Sequence, residues 1–308
     1  MTNNMNIIGN RKIFLSISGV LALASFLAIG IFGLKPGIDF SGGTMWQLAR
    51  TNADLTQTNA ELNADSIKNF FQTDLKTEDV VIFPAENRSF IVRLPHISED
   101  EHQQYFSALK NKFGGMEELS FQNIGPAIGE ELRTGAFWAI TMVLLGISLY
   151  IAFAFRKVSY PIKSWKYGII TLVTLLHDIT IPAGLLAVLG KYSGIEIDTN
   201  FMVALLVIMG FSVHDTIVVF DRIRENLMFQ KGKFDLAEII NNSVNQTFVR
   251  SVNTSLTLVL ILLMMFFFGP ITLKYFILTI LVGVVTGTYS SIFIASPLLL
   301  IFHSKENR

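Results

Sequence analysis

Two aspartates lie inside long apolar segments of this sequence, where an ionisable side chain is costly. Asp215 follows Ser212 by three residues and Asp178 follows Thr174 by four, so each pair shares one face of a helix. A carboxylate in a membrane span costs about 2.5–3.5 kcal/mol on insertion scales, so it normally faces a polar cavity or a partner. The two positions therefore predict groups that bind and release protons.

Arg250 begins the fifth apolar segment and is the predicted counter-charge of Asp215. Burial disfavours an ionised carboxylate and a nearby guanidinium favours it, so a carboxylate under both influences can exchange protons near neutral pH. His214 adjoins Asp215 and carries the side chain that titrates closest to neutral pH. The predicted proton relay consists of Asp215, Arg250, Asp178 and His214.

A simpler interpretation exists for each aspartate. Asp215 and Arg250 would then form a buried ion pair that only fixes helix packing. Pro182 lies four residues after Asp178 and leaves one backbone group unpaired, so Asp178 and Thr174 would serve to satisfy that kink. Both interpretations stay open at the level of sequence.

The composition is typical of a membrane protein. Of 308 residues, 51% are hydrophobic and 26 are phenylalanine, and the mean hydropathy is +0.50. The formal net charge is zero, which argues against nucleic-acid binding. The absence of cysteine excludes disulfides, thiolate metal sites and a cysteine nucleophile. His177 and His214 each adjoin an aspartate without a fixed ligand spacing, so packing is their simpler role and no metal ion or cofactor is predicted.

Six apolar runs are long enough to cross a bilayer as helices. The first follows Arg11 and Lys12 as in a signal sequence, but it is long and lacks a small-residue cleavage site, so we expect a retained anchor. Lys and Arg concentrate in alternate short loops, which predicts cytoplasmic termini and places residues 35–134 on the far side. The predicted spans are 13–34, 136–155, 168–190, 201–220, 252–269 and 275–302.

Residues 35–134 have the size of a small domain. Their apolar patterns follow the order β-α-β-β-α-β, which predicts a ferredoxin-like α+β domain between the first two spans. Ser98 and Glu101 match a capping box at the start of the second helix. The predicted strands are 44–50, 80–83, 89–94 and 117–124, and the predicted helices are 64–75 and 98–115.

A second charged region, residues 221–250, has helical apolar spacing on both sides of "KGK" (231–233). This pattern predicts an amphipathic cytoplasmic hairpin along the membrane surface. The predicted parts of the chain are a cytoplasmic N-terminus with the first span (1–34), the far-side domain (35–134), a bundle of five further spans with this hairpin (135–302) and a cytoplasmic tail (303–308).

Five motifs follow one another along nearly the whole chain. They are "GIDFSGG" (37–43), "IGPAIGEEL" (124–132), "HD" (177–178), "GFSVHDTIVVFDRIREN" (210–226) and "NQTFVRSVNTSLT" (245–257). As a set they resemble the motifs of the SecF family, which is related to the resistance-nodulation-division (RND) transporters.

The resemblance implies an RND-type bundle of six helices in the bacterial inner membrane. The family works with SecD and uses the proton motive force to help preproteins leave the SecYEG channel, and YajC is a further expected partner besides the lipid bilayer. The resemblance assigns Asp215 and Arg250 to proton flow. His214 is a departure, because the family usually has Asn at this position, and the local proton chemistry can differ accordingly.

Glycines concentrate in the two segments that join the insert to the membrane spans. Glycine permits backbone angles closed to other residues, and hinges are commonly a few positions at element ends. We therefore predict a hinge on each side of the insert, with tight turns as the alternative. The hinge residues are Gly37, Asp39, Gly42, Gly43, Gly125, Pro126 and Gly129.

Three other functions share some of these features. A proton-driven exporter of small molecules shares the energetics but needs a porter region larger than this insert. An intramembrane hydrolase would pair Ser212 or Ser251 with His214, but Ser212 and His214 point about 200° apart on a helix, so no enzymatic activity is predicted. A purely structural assembly subunit is the third alternative.

Overall fold

The computed structural model describes residues 5–50, 63–77, 79–85, 89–157, 162–229 and 235–304. The chain forms two compact units, Pro36–Gly135 and a membrane unit built from Met1–Lys35 and Ala136–Arg308. In chain order the elements are α1 (Arg11–Phe32), α2 (Ile38–Ser41), β1 (Gly43–Arg50), α3 (Ala64–Asn69), β2 (Val81–Ala85), β3 (Ser89–Leu94), α4 (Glu99–Phe113), β4 (Met116–Ile124), α5 (Pro126–Ala154), α6 (Ser164–Ser193), α7 (Thr199–Phe229), α8 (Leu236–Phe268), α9 (Lys274–Ser290) and α10 (Ser296–Ser304).

Six helices of the described residues are long and apolar enough to cross a membrane, as predicted. They are α1, α5, α6, α7, α8 and a final helix, Ile271–His303, that includes α9 and α10. Between α9 and α10 the chain makes a π-turn, Ser291–Ala295. The protein is therefore built as a multi-pass membrane protein.

The charged region 221–250 extends the membrane helices instead of forming separate surface helices. α7 continues through it to Phe229, and α8 begins at Leu236, while the predicted turn 231–233 lies outside the described residues. Apolar residues at helical spacing in these extensions pack into one core with Ile7 and Ile8. This shared core explains why both helices stay continuous beyond the apolar spans. The tail 305–308 also lies outside the described residues.

α6, α7 and the final helix form the buried centre of the membrane unit. Their most apolar windows are 61%, 50% and 61% buried, against 6%, 11% and 17% for α1, α5 and α8. α7 and α9 approach closely because Gly283 and Gly287 are one turn apart on α9. A Cβ atom at Gly287 would lie 3.0 Å from Cβ of Ser212 on α7. Small residues at this spacing let membrane helices pack backbone to backbone.

The small unit contains a four-stranded antiparallel sheet in the order β2-β3-β1-β4. The order of its strands and main helices agrees with the predicted β-α-β-β-α-β pattern, preceded by the short α2. The predicted helix 64–75 is α3 continued by a π-turn, Phe70–Asp74. The core of the small unit includes Trp46, Leu48 and Leu109.

The predicted capping box at the start of α4 is confirmed. The backbone amide of Ser98 donates to the Glu101 carboxylate at 2.7 Å, and the amide of Glu101 donates to the Ser98 hydroxyl at 3.3 Å. The bond from the backbone of Ser98 is the main reason why the pKa of Glu101 is lowered. The two reciprocal bonds satisfy amides that the first turn of the helix leaves free.

Candidate functional site

Asp178 lies at the centre of the membrane unit, and its side chain is fully buried. Oδ2 accepts hydrogen bonds from the hydroxyls of Ser212 on α7 (2.5 Å) and Ser290 on α9 (2.7 Å). Oδ1 lies 2.9 Å from Nδ1 of His177. Three membrane helices, α6, α7 and α9, therefore converge on one carboxylate.

Asp215 is the second buried carboxylate, three residues after Ser212 on α7. Its Oδ2 accepts a hydrogen bond from the hydroxyl of Ser291 at 3.0 Å. Ser291 is the first residue of the π-turn after α9. A neutral hydroxyl therefore contacts this carboxylate where a buried ion pair would place a cation.

His177 belongs to the same cluster, although the sequence analysis favours a packing role for it. Its Nδ1 faces Asp178, while Nε2 is buried and has no hydrogen-bond partner among the described residues. A buried polar atom without a partner calls for an explanation, and a functional role is one of the recognised explanations. The cluster around the Asp178 carboxylate therefore includes the imidazole of His177.

The threonines of α6 do not continue the polar cluster. The Thr171 hydroxyl donates to the carbonyl of Tyr167 at 2.8 Å, and the Thr174 hydroxyl donates to the carbonyl of Ile170 at 3.1 Å. The carboxylate of Asp178 is directed at neighbouring side chains. The side chains of Thr174 and Asp178 therefore do not satisfy the backbone near Pro182, and the structure does not support the kink interpretation.

The expected ion pair between Asp215 and Arg250 is absent from the ion pairs of the described residues, and this expectation is corrected. Arg250 is exposed on α8 and lines a surface groove with Asp221 and Glu225 of α7. Asp221 is six residues after Asp215 and therefore points about 120° away from it around the helix. Asp221 and the buried carboxylate therefore lie on different faces of α7.

His214 is exposed and lies on the groove side of α7. Spacings of four and three residues relate it to Val218 and Asp221, which line the groove. It adjoins Asp215 in sequence, but consecutive helical residues point about 100° apart. The structure therefore separates His214 from the buried carboxylates.

One outward face of α8 is polar within a helix that is apolar enough to span a membrane. The exposed polar residues are Arg250, Asn253, Thr254 and Thr257. The two threonine hydroxyls donate to carbonyls of their own helix, but the side chains of Arg250 and Asn253 have no hydrogen bond within the described residues. Such groups are costly against lipid and are typical of contacts between membrane helices.

The two glycine-rich segments at the ends of the small unit contact each other. A Cβ atom at Gly42 would lie 2.9 Å from Cα of Pro126, and one at Gly129 would lie 2.9 Å from the amide nitrogen of Gly42. Gly42 and Gly43 also have φ angles of +71° and +126°, which side chains disfavour. Close packing and backbone conformation both require glycine here, and the hinge role stays a prediction.

The other predicted hinge residues have simpler surroundings. The carbonyl of Gly37 accepts hydrogen bonds in the first turn of α2, which also contains the half-buried Asp39. Pro126 is the first residue of α5, where its missing amide proton is harmless. A Cβ atom at Gly125 would meet open space.

Sequence reasoning missed Ser290 and Ser291, the hydroxyls that contact the two carboxylates. Both serines are fully buried. The available signal is a pair of consecutive serines inside the last apolar run. Only the packing of the final helix shows where these two hydroxyls point.

Two family models match this chain. "Protein export membrane protein SecD/SecF, C-terminal" matches residues 104–305, and "SecD/SecF GG Motif" matches residues 27–48, which include Gly42 and Gly43. The protein translocase subunit SecF of Thermobaculum terrenum is 43% identical over 98% of this chain and 95% of its own length. The SecF subunit of Anaerolinea thermophila is 36% identical over 99% of this chain and 96% of its own length.

Solved structures of SecDF have the same fold. The crystal structure of SecDF from Thermus thermophilus, described as a translocon-associated membrane protein, matches with a TM-score of 0.80 and 33% identity over 99% of this chain. SecDF in its super-membrane-facing form matches with a TM-score of 0.68 and 32% identity over 98% of this chain. The chain spans 39% of each of these SecDF chains.

Proposed function

Because the chain belongs to the SecD/SecF family of protein-export membrane proteins, as a SecF subunit, we propose that it works with SecD and uses the proton motive force to assist preprotein export. Protein export is the role of the family, so the alternative of a small-molecule exporter is not favoured. The proton coupling and the partnership are our proposals.

The observation that carries the proton coupling is the pair of buried carboxylates, Asp178 and Asp215. Both lie within membrane helices, and the hydroxyls of Ser212, Ser290 and Ser291 donate to them. A carboxylate that only held helices together would be expected to pair with a cation. A hydroxyl can donate to the ionised form and accept from the protonated form, so it suits a group that changes its protonation state.

Pairing with SecD is supported by the polar face of α8. It is also supported by relatives named protein translocase subunit SecDF, which are single chains of which this chain covers 37% and 38%. We propose that a membrane helix of SecD covers Arg250 and Asn253, whose side chains have no partner in the described residues. Arg250 on α8 and His214 on the groove side of α7 would then act in the relay without contacting Asp215 directly. Asn253→Leu should lower co-purification with SecD, whereas Asn253→Gln, which keeps the side-chain amide, should not.

The small unit is proposed to be a ferredoxin-like domain on the periplasmic side, with both termini in the cytoplasm. The support is the strand order of its sheet and the distribution of Lys and Arg in the short loops. In this orientation the domain faces the preproteins that leave the SecYEG channel, with YajC as a further proposed partner. Protease accessibility of the small unit in intact spheroplasts tests this orientation.

Asp215→Asn keeps the shape of the side chain but replaces the carboxyl group with an amide that cannot ionise. We expect the variant to insert and to co-purify with SecD, but to lose the stimulation of export by an imposed proton gradient in membrane vesicles. Asp215→Glu retains a carboxylate and should keep part of the stimulation. Glu238→Gln is the matched control, because Glu238 is an exposed carboxylate outside the cluster.

Export by Asp215→Asn with a normal response to the proton gradient would refute the proton coupling and would favour a structural assembly subunit. A loss of stimulation in Glu238→Gln as well would also count against it, since the effect would then not be specific to the buried carboxylate. Asp178→Asn provides a second test, and we expect it to lose stimulation because Asp178 is the second buried carboxylate that the proposal takes to bind protons.

A further inference from the structure

The two buried carboxylates are contacted by two consecutive residues of one helix. Ser290, the last residue of α9, donates to Asp178 on α6, and Ser291, the first residue of the π-turn, donates to Asp215 on α7. Consecutive helical side chains point about 100° apart, which lets neighbouring residues contact different helices. The backbone at this point of the final helix therefore touches both carboxylate sites.

Each serine hydroxyl has a single proton but two acceptors within reach. Ser290 can donate to Asp178 at 2.7 Å or to the carbonyl of Gly287 at 3.1 Å. Ser291 can donate to Asp215 at 3.0 Å or to the carbonyl of Thr288 at 2.9 Å. The second acceptor is in both cases the carbonyl three residues earlier on the same helix.

These alternatives fit both protonation states of each carboxylate. An ionised carboxylate only accepts, so the serine donates to it. A protonated carboxyl group donates a hydrogen bond, so the serine oxygen can accept that bond while the serine hydroxyl donates its own proton to the helix carbonyl. Because the two carbonyls belong to α9 just before the π-turn, a change at either carboxylate alters the hydrogen bonding of the same helical segment. π-turns in α-helices are frequent at functional sites.

We propose that Ser290 and Ser291 are positioning residues that couple the proton occupancies of Asp178 and Asp215. A proton taken up at one carboxylate changes the bonding of the shared serine segment and thereby changes the proton uptake of the other. The inference rests on the proposed proton-coupled function and adds a regulation within that site. Ser212 is a second contact between α7 and Asp178, and the test separates its contribution.

The helices packed around the pair carry other charged and titratable groups in the described residues. Besides the pair itself they are Arg11 and Lys12 on α1, Lys166, Tyr167, His177, Lys191 and Tyr192 on α6, His214, Asp221, Arg222, Arg224 and Glu225 on α7, Glu238 and Arg250 on α8, Lys274, Tyr275 and Tyr289 on α9, and His303 on α10. Of these, only His177 has a contact with either carboxylate. A change in the protonation of His177 is therefore tested by His177→Gln in the same assay.

The experiment measures the protonation of each carboxyl group directly in vesicles that contain the full chain together with SecD. Dicyclohexylcarbodiimide reacts with protonated buried carboxyl groups, and mass spectrometry reports the labelled fraction of Asp178 and Asp215 across a pH series. We expect Asp178→Asn to shift the pH of half-labelling at Asp215, because the amide no longer changes protonation state.

The serine variants decide whether α9 carries this effect. In the Ser290→Ala/Ser291→Ala background, the labelling of Asp215 should no longer depend on whether residue 178 is Asp or Asn. The Ser290→Thr/Ser291→Thr background keeps both hydroxyls and should keep the dependence, and so should Ser212→Ala and His177→Gln. We also expect the alanine background to lower gradient-driven export about tenfold, the loss associated with a hydrogen bond to a charged group.

The inference is overturned if the labelling of Asp215 is the same with Asp or Asn at position 178. It is also overturned if the alanine background keeps the dependence, or if Ser212→Ala or His177→Gln alone abolishes it. The single variants Ser290→Ala and Ser291→Ala give the same test should the double variant fail to assemble with SecD. Failure of the proposed function is a separate result, because export by Asp215→Asn is measured without labelling.

Discussion

Replacing Gly287 with alanine should disturb the Asp178 cluster through Ser212, a residue on the neighbouring helix. A Cβ atom at Gly287 would lie 3.0 Å from Cβ and 3.3 Å from Oγ of Ser212. Ordinary contacts begin at 3.4 Å, so Ser212 has to move by about 0.4 Å. The Ser212 hydroxyl is 2.5 Å from Asp178, and a shift of this size changes the bond between them.

The magnitude follows from two opposing effects. Adding a methyl group to a packed core costs about 1–3 kcal/mol, while replacing glycine by alanine within a helix gains about 1 kcal/mol. Gly210→Ala on α7 is the matched control, because a Cβ atom there would have nothing within 4 Å. The packing cost is the difference between the two variants, so we expect Gly287→Ala to be less stable than Gly210→Ala by about 1–3 kcal/mol.

Two measurements check this prediction. Unfolding of the detergent-purified chain compares the stabilities of Gly287→Ala and Gly210→Ala, and gradient-driven export from vesicles compares their activities. We expect reduced stimulation of export in Gly287→Ala and normal stimulation in Gly210→Ala. Equal stability and equal export for the two variants would refute the argument that α9 holds Ser212 against Asp178.

Three further predictions concern other parts of the chain. Asn241→Ala removes side-chain bonds to the backbone of residues 5–8 and should lower the free energy of unfolding by about 1–3 kcal/mol, measured with denaturant. Ser98→Ala removes the hydroxyl that contacts Glu101 and should raise the lowered pKa of Glu101 part of the way back, as NMR titration would show. A lowered carboxyl pKa stabilises the folded state at pH values above the ordinary pKa of that group, and this stability is lost as the pH falls. The variant should therefore lose less stability on acidification than the unchanged protein. Gly184→Ala places a Cβ atom 2.6 Å from the α1 backbone and should destabilise the membrane unit, whereas Gly19→Ala, with open space, should not, and thermal unfolding compares them.

The sequence alone was sufficient to predict the membrane spans and the order of elements in the small unit. Apolar runs of this length have one stable solution in a bilayer, because a helix satisfies every backbone group internally. In the small unit, alternating and helical apolar spacings distinguish strands from helices, and the Ser98–Glu101 capping box marks where α4 begins. These features depend on neighbours in the chain, so the sequence contains them directly.

The partners of the buried carboxylates were decided only by the tertiary structure. Asp215 and Asp178 stand out in the sequence because charge is rare in apolar runs. The sequence suggested Arg250 as the partner of Asp215, since opposite charges attract, but the orientation of α7 turns Asp215 toward Ser291 and leaves Arg250 in an exposed groove. Which face of one helix meets which face of another depends on the packing of all six helices. That packing follows from shape at positions such as Gly283 and Gly287, where the absence of a side chain lets the final helix come close enough for Ser290 and Ser291 to reach the two carboxylates.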